Sequence, residues 1–297
     1  MDRRNFLRTT SGLMAGGLTA SLASSLYGFP QESKYKDTIG LQLWTVRNQL
    51  ADDKQATLKS IADAGYKQVE FGDVGQGLDL MPICKDLGLD ATSSFLNWQS
   101  ICNPKSKTAA SLEKILEDAV KLNLKHLVFG YIGKPFRKTA DQYKKHIDVC
   151  NQFGESCLKA GIQLCYHNHS FEFEKLDGGK AGFDLLMDGF DDKLCKFELD
   201  VFWVEIGGWN ALETLERLGD RVSQVHLKDL KAGSETCYDE GRVPKDSFKE
   251  LGNGVIDIGK VLSLSEKLGV VQCHVEQDQS PDPIKSIGQS MQHFRSL

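Results

Sequence analysis

Short apolar runs alternate along the chain with longer stretches whose apolar positions recur every three or four residues. The first pattern suits strands buried on both faces, and the second suits helices that cover them. The runs predict strands over 39–45, 68–72, 91–96, 126–131, 162–169, 196–201, 222–228 and 271–277. Helical spacing falls between and after them, over 54–64, 80–87, 109–122, 140–160, 181–187, 211–218, 258–268 and 283–294. Leu112, Ile115, Leu116, Ala119 and Leu122 form one apolar stripe, as a helix packed on a sheet requires. Gly65, Gly88, Gly161 and Gly269 each stand between such a helix and the next strand, where a left-handed C-cap belongs.

Strand and helix alternate at about 33 residues per unit, and eight parallel strands make a (β/α)8 TIM barrel. No Pro-, Gly- or Ser-rich linker interrupts the series, so 31–297 reads as one barrel domain. Its longest connection, 230–255, joins the last two strands and is a candidate lid, because loops at the C-terminal strand ends build barrel active sites.

The first 30 residues follow a different pattern. Arg3-Arg4-Asn5-Phe6-Leu7 precedes a segment rich in Ala, Gly, Ser and Leu, which resembles a twin-arginine export signal. That segment is too short and too rich in small residues for a good membrane span. The expectation is a periplasmic or otherwise exported protein that crosses the membrane folded, with no stable membrane span once the signal is removed.

Composition narrows the function. A chain of 297 residues with 40% apolar and 26% charged positions can bury a large core, and its net charge of −5 argues against nucleic-acid or anionic-membrane partners. The eight cysteines show no CxxC pair, and several lie in apolar runs where Cys acts as a small buried hydrophobe. A thiolate zinc site is not expected.

The strand ends carry the chemistry. Strand five ends Tyr166-His167-Asn168-His169, strand six Glu198-Leu199-Asp200, strand seven Val225-His226-Leu227-Lys228-Asp229, and strand eight His274-Val275-Glu276-Gln277-Asp278. Residues two apart share a strand face, so His167 goes with His169, His226 with Lys228, and His274 with Glu276 and Asp278. Inward imidazoles and carboxylates are costly to bury unless they are paired or bind a cation. A mixed N/O set without sulfur suits Mn²⁺, Zn²⁺, Co²⁺ or Fe²⁺, so one divalent metal ion is the expected cofactor. Singly, each residue also fits a plainer role: a hydrogen-bonded core histidine, an Asp capping the next helix, or a Lys228 salt bridge to Asp229 or Asp200.

Segments 166–173, 198–204 with Gly207-Gly208, 225–229, 251–257 and 275–278 are similar to the sugar phosphate isomerase/epimerase group. These are xylose isomerase-like TIM barrels related to inosose dehydratases, ketose 3-epimerases and endonuclease-IV-type enzymes. Segments 39–47 and 65–70 fit the same pattern, so the resemblance covers residues 38–297. It implies one divalent metal held from strands five to eight. Asp200, His226 and Glu276 match the last three ligands, and His167 stands where the epimerases carry Glu, with Glu172 as the other choice.

A metal that chelates a sugar carbonyl and its neighbouring hydroxyl acidifies the C–H between them, and a carboxylate can remove that proton. Glu276 and Glu172 are the candidates for proton transfer, with Lys228 or His169 polarising oxygen. Of the tryptophans at 44, 98, 203 and 209, the first three and Arg47 are candidate substrate contacts, since aromatic faces pack on sugar C–H surfaces. Arg47 and the Gly252-Asn253-Gly254 turn are also candidates to approach a phosphate. Export instead favours a free or oxidised sugar, a cyclitol or a glycoside.

The expected function is a metal-dependent isomerase or epimerase on a small sugar. The alternatives are a lyase or dehydratase on a 3-keto sugar, glycoside or inosose, and a non-catalytic sugar-binding barrel. A homo-oligomer is compatible with the sequence. An abasic-site nuclease is disfavoured by the acidic charge and by a total of seven histidines.

Overall fold

The computed structural model of the protein describes residues 32–297. Its barrel strands are β1 Gly40–Gln42, β2 Gln68–Phe71, β3 Asp90–Phe95, β4 His126–Phe129, β5 Gln163–His167, β6 Cys195–Asp200, β7 Val222–Leu227 and β8 Gln272–Val275. Neighbours run parallel in the closed order β1-β8-β7-β6-β5-β4-β3-β2, with Gly40 opposite His274 where the barrel closes. The expected (β/α)8 TIM barrel is therefore present, with helices after the strands on its outside. The twin-arginine segment at 1–30 lies outside the described residues. Among the described residues no helix is long and apolar enough to cross a membrane.

Caps place the helices. Helices Lys54–Ala64 and Ala211–Leu218 match the periodicity, each opened by an Asp53 or Asn210 side chain accepting from a backbone N–H of the first turn. Helix Val74–Asp86 begins well before the expected 80–87. Gly75 and Gly77 hide its first turns from a propensity reading, yet a Cβ at Gly77 would sit 2.7 Å from the Phe71 ring, so close packing on β2 requires the glycine. Strand one ends at Gln42 rather than 45, because the Gln42 side chain caps Trp44 N and starts a 3-10 turn, Leu43–Val46. Strand six stops at Asp200, and helix Val201–Ile206 follows at once. Its aromatic and β-branched composition reads as strand, but the Asp200 cap decides otherwise.

Apolar side chains such as Val69, Leu127, Leu164, Leu199 and Val225 are buried in the main core. The barrel interior is polar. Hydrogen bonds cross it between strands that are not neighbours: Gln224 Nε2 to Ser93 Oγ (3.1 Å), His126 Nε2 with Ser223 Oγ (3.0 Å) and His226 Nε2 with Glu70 Oε2 (2.7 Å). All eight cysteines are free, and seven are buried as small apolar residues, as expected.

Candidate metal centre

His167 ends β5, Asp200 ends β6, His226 lies in β7, and Glu276 directly follows β8. Parallel register sets Asp200 opposite His226 and His226 opposite His274, with Glu276 one step higher on the same face as His274. Asn168 fixes the β5–β6 join, accepting from Asp200 N (3.0 Å) and donating to Asp200 O (3.2 Å). Asp200 then divides its carboxylate: Oδ1 accepts from Trp203 N at 3.0 Å and caps the next helix, while Oδ2 turns inward and lies 3.0 Å from Lys228 Nζ. The cap and the site are served by one residue.

Asp200 Oδ2 lies 3.8 Å from His226 Nδ1 and 3.9 Å from His167 Nε2, and Glu276 Oε2 lies 3.0 Å from the same His226 Nδ1. His167, Asp200 and His226 each offer a ligand atom within 4.8 Å of the others. All four side chains are buried. Two imidazoles and two carboxylates, with Asp200 Oδ2 facing both rings, fit a divalent ion such as Mn²⁺, Zn²⁺, Co²⁺ or Fe²⁺. Three of the residues expected as ligands, His167, Asp200 and His226, are thus brought together, and Glu276 adjoins them at His226.

Lys228 is their counter-charge. Its Nζ sits 3.0 Å from Asp200, 2.8 Å from Glu276 and 3.1 Å from Asp278. Burial disfavours its charge, but these carboxylates outweigh burial and hold its pKa above the ordinary lysine value. Burial also opposes the Glu276 charge, yet Lys228 and His226 keep that carboxyl well below the usual range. Burial and the Glu276 charge push Asp278 up to about 7 against the pull of Lys228. Burial drives His167 well down and His169 to about 3, so both rings are neutral near pH 7. At His226 the carboxylates of Glu198 and Glu70 outweigh burial and raise its pKa.

A cavity of about 480 Å³ is walled by Trp44, Phe95, Trp98, Tyr131, Trp203 and Phe248, with His167, His169, Lys228, Glu240, Glu276 and Asp278 as its ionisable lining. Trp209 lies elsewhere, packed on Phe173 and Phe183. Arg47 is not part of the lining: its guanidinium lies 4.5 Å over the Trp44 ring and donates to the carbonyls of Trp44 and Asp278.

Glu172 does not reach the cavity either. It is fully buried in the 3-10 turn Phe171–Phe173, where it accepts from His169 N (3.1 and 3.0 Å) and Tyr166 Oη (2.6 Å). It holds the loop that carries His169, and burial raises its pKa to about 7. The Gly252-Asn253-Gly254 turn is closed to phosphate, because Asp229 already accepts from the N–H groups of Gly252, Gly254 and Ile256 at 2.9, 2.9 and 3.0 Å. A Cβ at Gly254 would lie 2.3 Å from Asp229 Oδ1.

The 230–255 connection forms a wall of the cavity. Phe248 stacks on Phe202 with centroids 4.3 Å apart, and Glu240 accepts from Tyr131 Oη (2.7 Å) and Arg137 Nη2 (2.9 and 2.8 Å). Beneath the rim, Glu70 and Glu198 form with His226 and His274 a second buried group, of which the strand-end pattern contains all but Glu70. Glu198 precedes Asp200 by two residues on the same face, which is a usable signal; Glu70 is masked by the apolar neighbours Val69 and Phe71.

The sequence profile described as "Xylose isomerase-like TIM barrel" matches residues 58–297. The inosose dehydratase of Clostridium perfringens (strain 13 / Type A) is 31% identical over 147 residues, 46% of this chain and 48% of that protein. The chain spans about half the length of the curated relatives it matches. A sugar phosphate isomerase/epimerase from Parabacteroides distasonis ATCC 8503 shares the fold with a TM-score of 0.70 and 24% identity, covering 88% of this chain and 98% of that one. The IOLI protein, solved with a zinc atom, does so with a TM-score of 0.61 and 15% identity, covering 87% and 97%. By profile, closed barrel and strand order, this chain belongs to the xylose isomerase-like TIM barrel family.

Proposed function

We propose that the protein is a divalent-metal-dependent isomerase or epimerase of a sugar or sugar derivative, working by proton removal beside a carbonyl. The observation that carries this reading is the buried set His167, Asp200, His226 and Glu276, of which His167 and Glu276 line an aromatic cavity. A bound ion supplies a Lewis acid for the substrate's carbonyl and neighbouring hydroxyl oxygens. The chain's own residues do the rest. Trp98 and Trp203 pack on the C–H face of the ring. Lys228, protonated, donates to a substrate oxygen, and neutral His169 donates or accepts beside it. Among the cavity carboxylates Glu240 is tied to Tyr131 and Arg137 away from the ring cluster, and Glu276 and Asp278, which share Lys228, are the groups assigned to take and return the proton.

The substrate in this reading carries no phosphate. Among the described residues lining the cavity Lys228 is the one lysine or arginine, and three carboxylates already share its charge, so the chain offers a phosphate no spare cationic side chain there. An exported enzyme, the role we propose for the N-terminal segment, meets free sugars, cyclitols and glycosides. Likeness to an inosose dehydratase favours a second reading, a lyase that shares the first step and then expels a β-substituent.

Incubation with candidate sugars in D₂O tests both. Exchange of one carbon-bound proton without an unsaturated product supports the isomerase, and an unsaturated product supports the lyase. A folded protein that holds no divalent ion and gains no activity on adding one overturns the proposal. If Asp200→Asn and Glu276→Gln leave sugar binding intact and the wild type shows no turnover, the barrel is a binding protein.

A further inference from the structure

Each ring of the candidate centre turns one nitrogen toward Asp200 and the other toward a buried carboxylate. His226 presents Nδ1 to Asp200 and Glu276, while its Nε2 lies 2.7 Å from Glu70 Oε2. His167 presents Nε2 to Asp200, while its Nδ1 lies 3.3 Å from Glu198 Oε2. The same Glu198 oxygen is 3.3 Å from His226 Nε2, so it stands between the outward nitrogens of both rings.

The carboxylates are themselves held. Ser93 Oγ donates to Glu70 Oε1 at 2.5 Å, Gln42 Nε2 donates to Glu70 Oε2 at 2.6 Å, and Gln224 Nε2 donates to Glu198 Oε1 at 3.0 Å. With His226 these give Glu70 three donors, which leaves it little room to bind an ion itself. Glu198 Oε2 and His167 Nδ1, 3.3 Å apart, each lack any other hydrogen-bond partner, so each is free to take the other.

We propose that Glu70 and Glu198 are positioning residues that select the ring nitrogen each histidine offers a divalent cation, Nδ1 of His226 and Nε2 of His167. The inference rests on the reading of His167, Asp200, His226 and Glu276 as the cation centre. An N–H held by a carboxylate sets the tautomer and makes the opposite nitrogen a better donor, an effect worth about 10- to 100-fold in metal affinity.

Zinc affinity is read by competition with a chromogenic chelator on the wild type, Glu70→Gln and Glu198→Gln, with the cobalt absorption spectrum as a second readout. Expected are one ion per chain in all three, affinity about 10- to 100-fold weaker in each variant, and a shifted cobalt spectrum. Independently of any variant, ¹⁵N NMR of the cadmium-113-loaded wild type should show coupling to His226 Nδ1 and His167 Nε2, with a proton kept on His226 Nε2. Equal affinity in the variants, coordination through His226 Nε2, or two ions per chain overturns the inference while leaving the centre in place. A wild type that binds no divalent ion overturns the centre as well.

Discussion

Strands β5 to β8 and the residues that follow them place His167, His169, Lys228, Glu276 and Asp278 at the cavity, with Asp200 and His226 packed against them, whereas β1 to β4 and their loops place Trp44, Phe95, Trp98 and Tyr131 there. One half therefore concentrates charge and the other excludes water. The two tasks need each other. Coulomb interactions strengthen as water leaves, so an aromatic wall facing the ionisable half sharpens every contact in it. The division blurs in three places: Trp203 follows β6, Phe248 lies in the connection after β7, and Gln42, Glu70 and Ser93 on β1 to β3 support His226 from below.

The strongest test of this division removes the inward oxygen of the charged half. Asp200→Asn can keep the cap to Trp203, so the fold should survive while bound metal is lost and turnover falls by more than about 100-fold. Metal analysis beside activity checks it, and retained turnover would move the chemistry out of β5 to β8.

Next in size is Glu172, which belongs to the charged half by sequence but is expected to act only in stability. The folded carboxyl keeps its proton up to pH about 7, against 4.5 for an unperturbed one, with Tyr166, Tyr143 and Arg137 around it. Its contribution is full below pH 4.5 and is lost as pH rises through 7, a change of roughly 3 kcal/mol. Denaturation curves should show that decline in the wild type and a decline smaller by this amount in Glu172→Gln. Equal slopes would mean that the carboxyl is not held protonated.

The aromatic half should answer in binding. Trp98→Ala should raise KM by roughly 3- to 10-fold with a smaller change in kcat, since stacking contributes about 0.5–1.5 kcal/mol. A fall in kcat without a change in KM would instead place Trp98 in the reacting geometry. Trp44 is 52% exposed at the rim, and Trp44→Ala should change KM by no more than about threefold.

Much of the fold and of the charged half is legible in the order of residues, for reasons that belong to particular positions. Periodicity places the strands, because both faces of a barrel strand are buried. Alternation puts Asp200, His226 and Glu276 on inward faces, since side-chain direction in a strand is local. Features that depend on partners distant in the chain or on loop geometry stay hidden. Glu172 is drawn to Tyr166 and the His169 amide, Arg47 to the Trp44 ring, and Asp229 to the 252–256 amides. Glu70 meets His226 across the barrel, 156 residues away in the chain.

The barrel, its polar strand ends and the donor types of the candidate centre follow from the chain's residue order alone, because hydrophobic period, caps and residue chemistry act over a few residues. Which donors meet, at what depth, and with which nitrogen forward does not. Barrel closure and register set those distances, and both exist only once all the strands have paired.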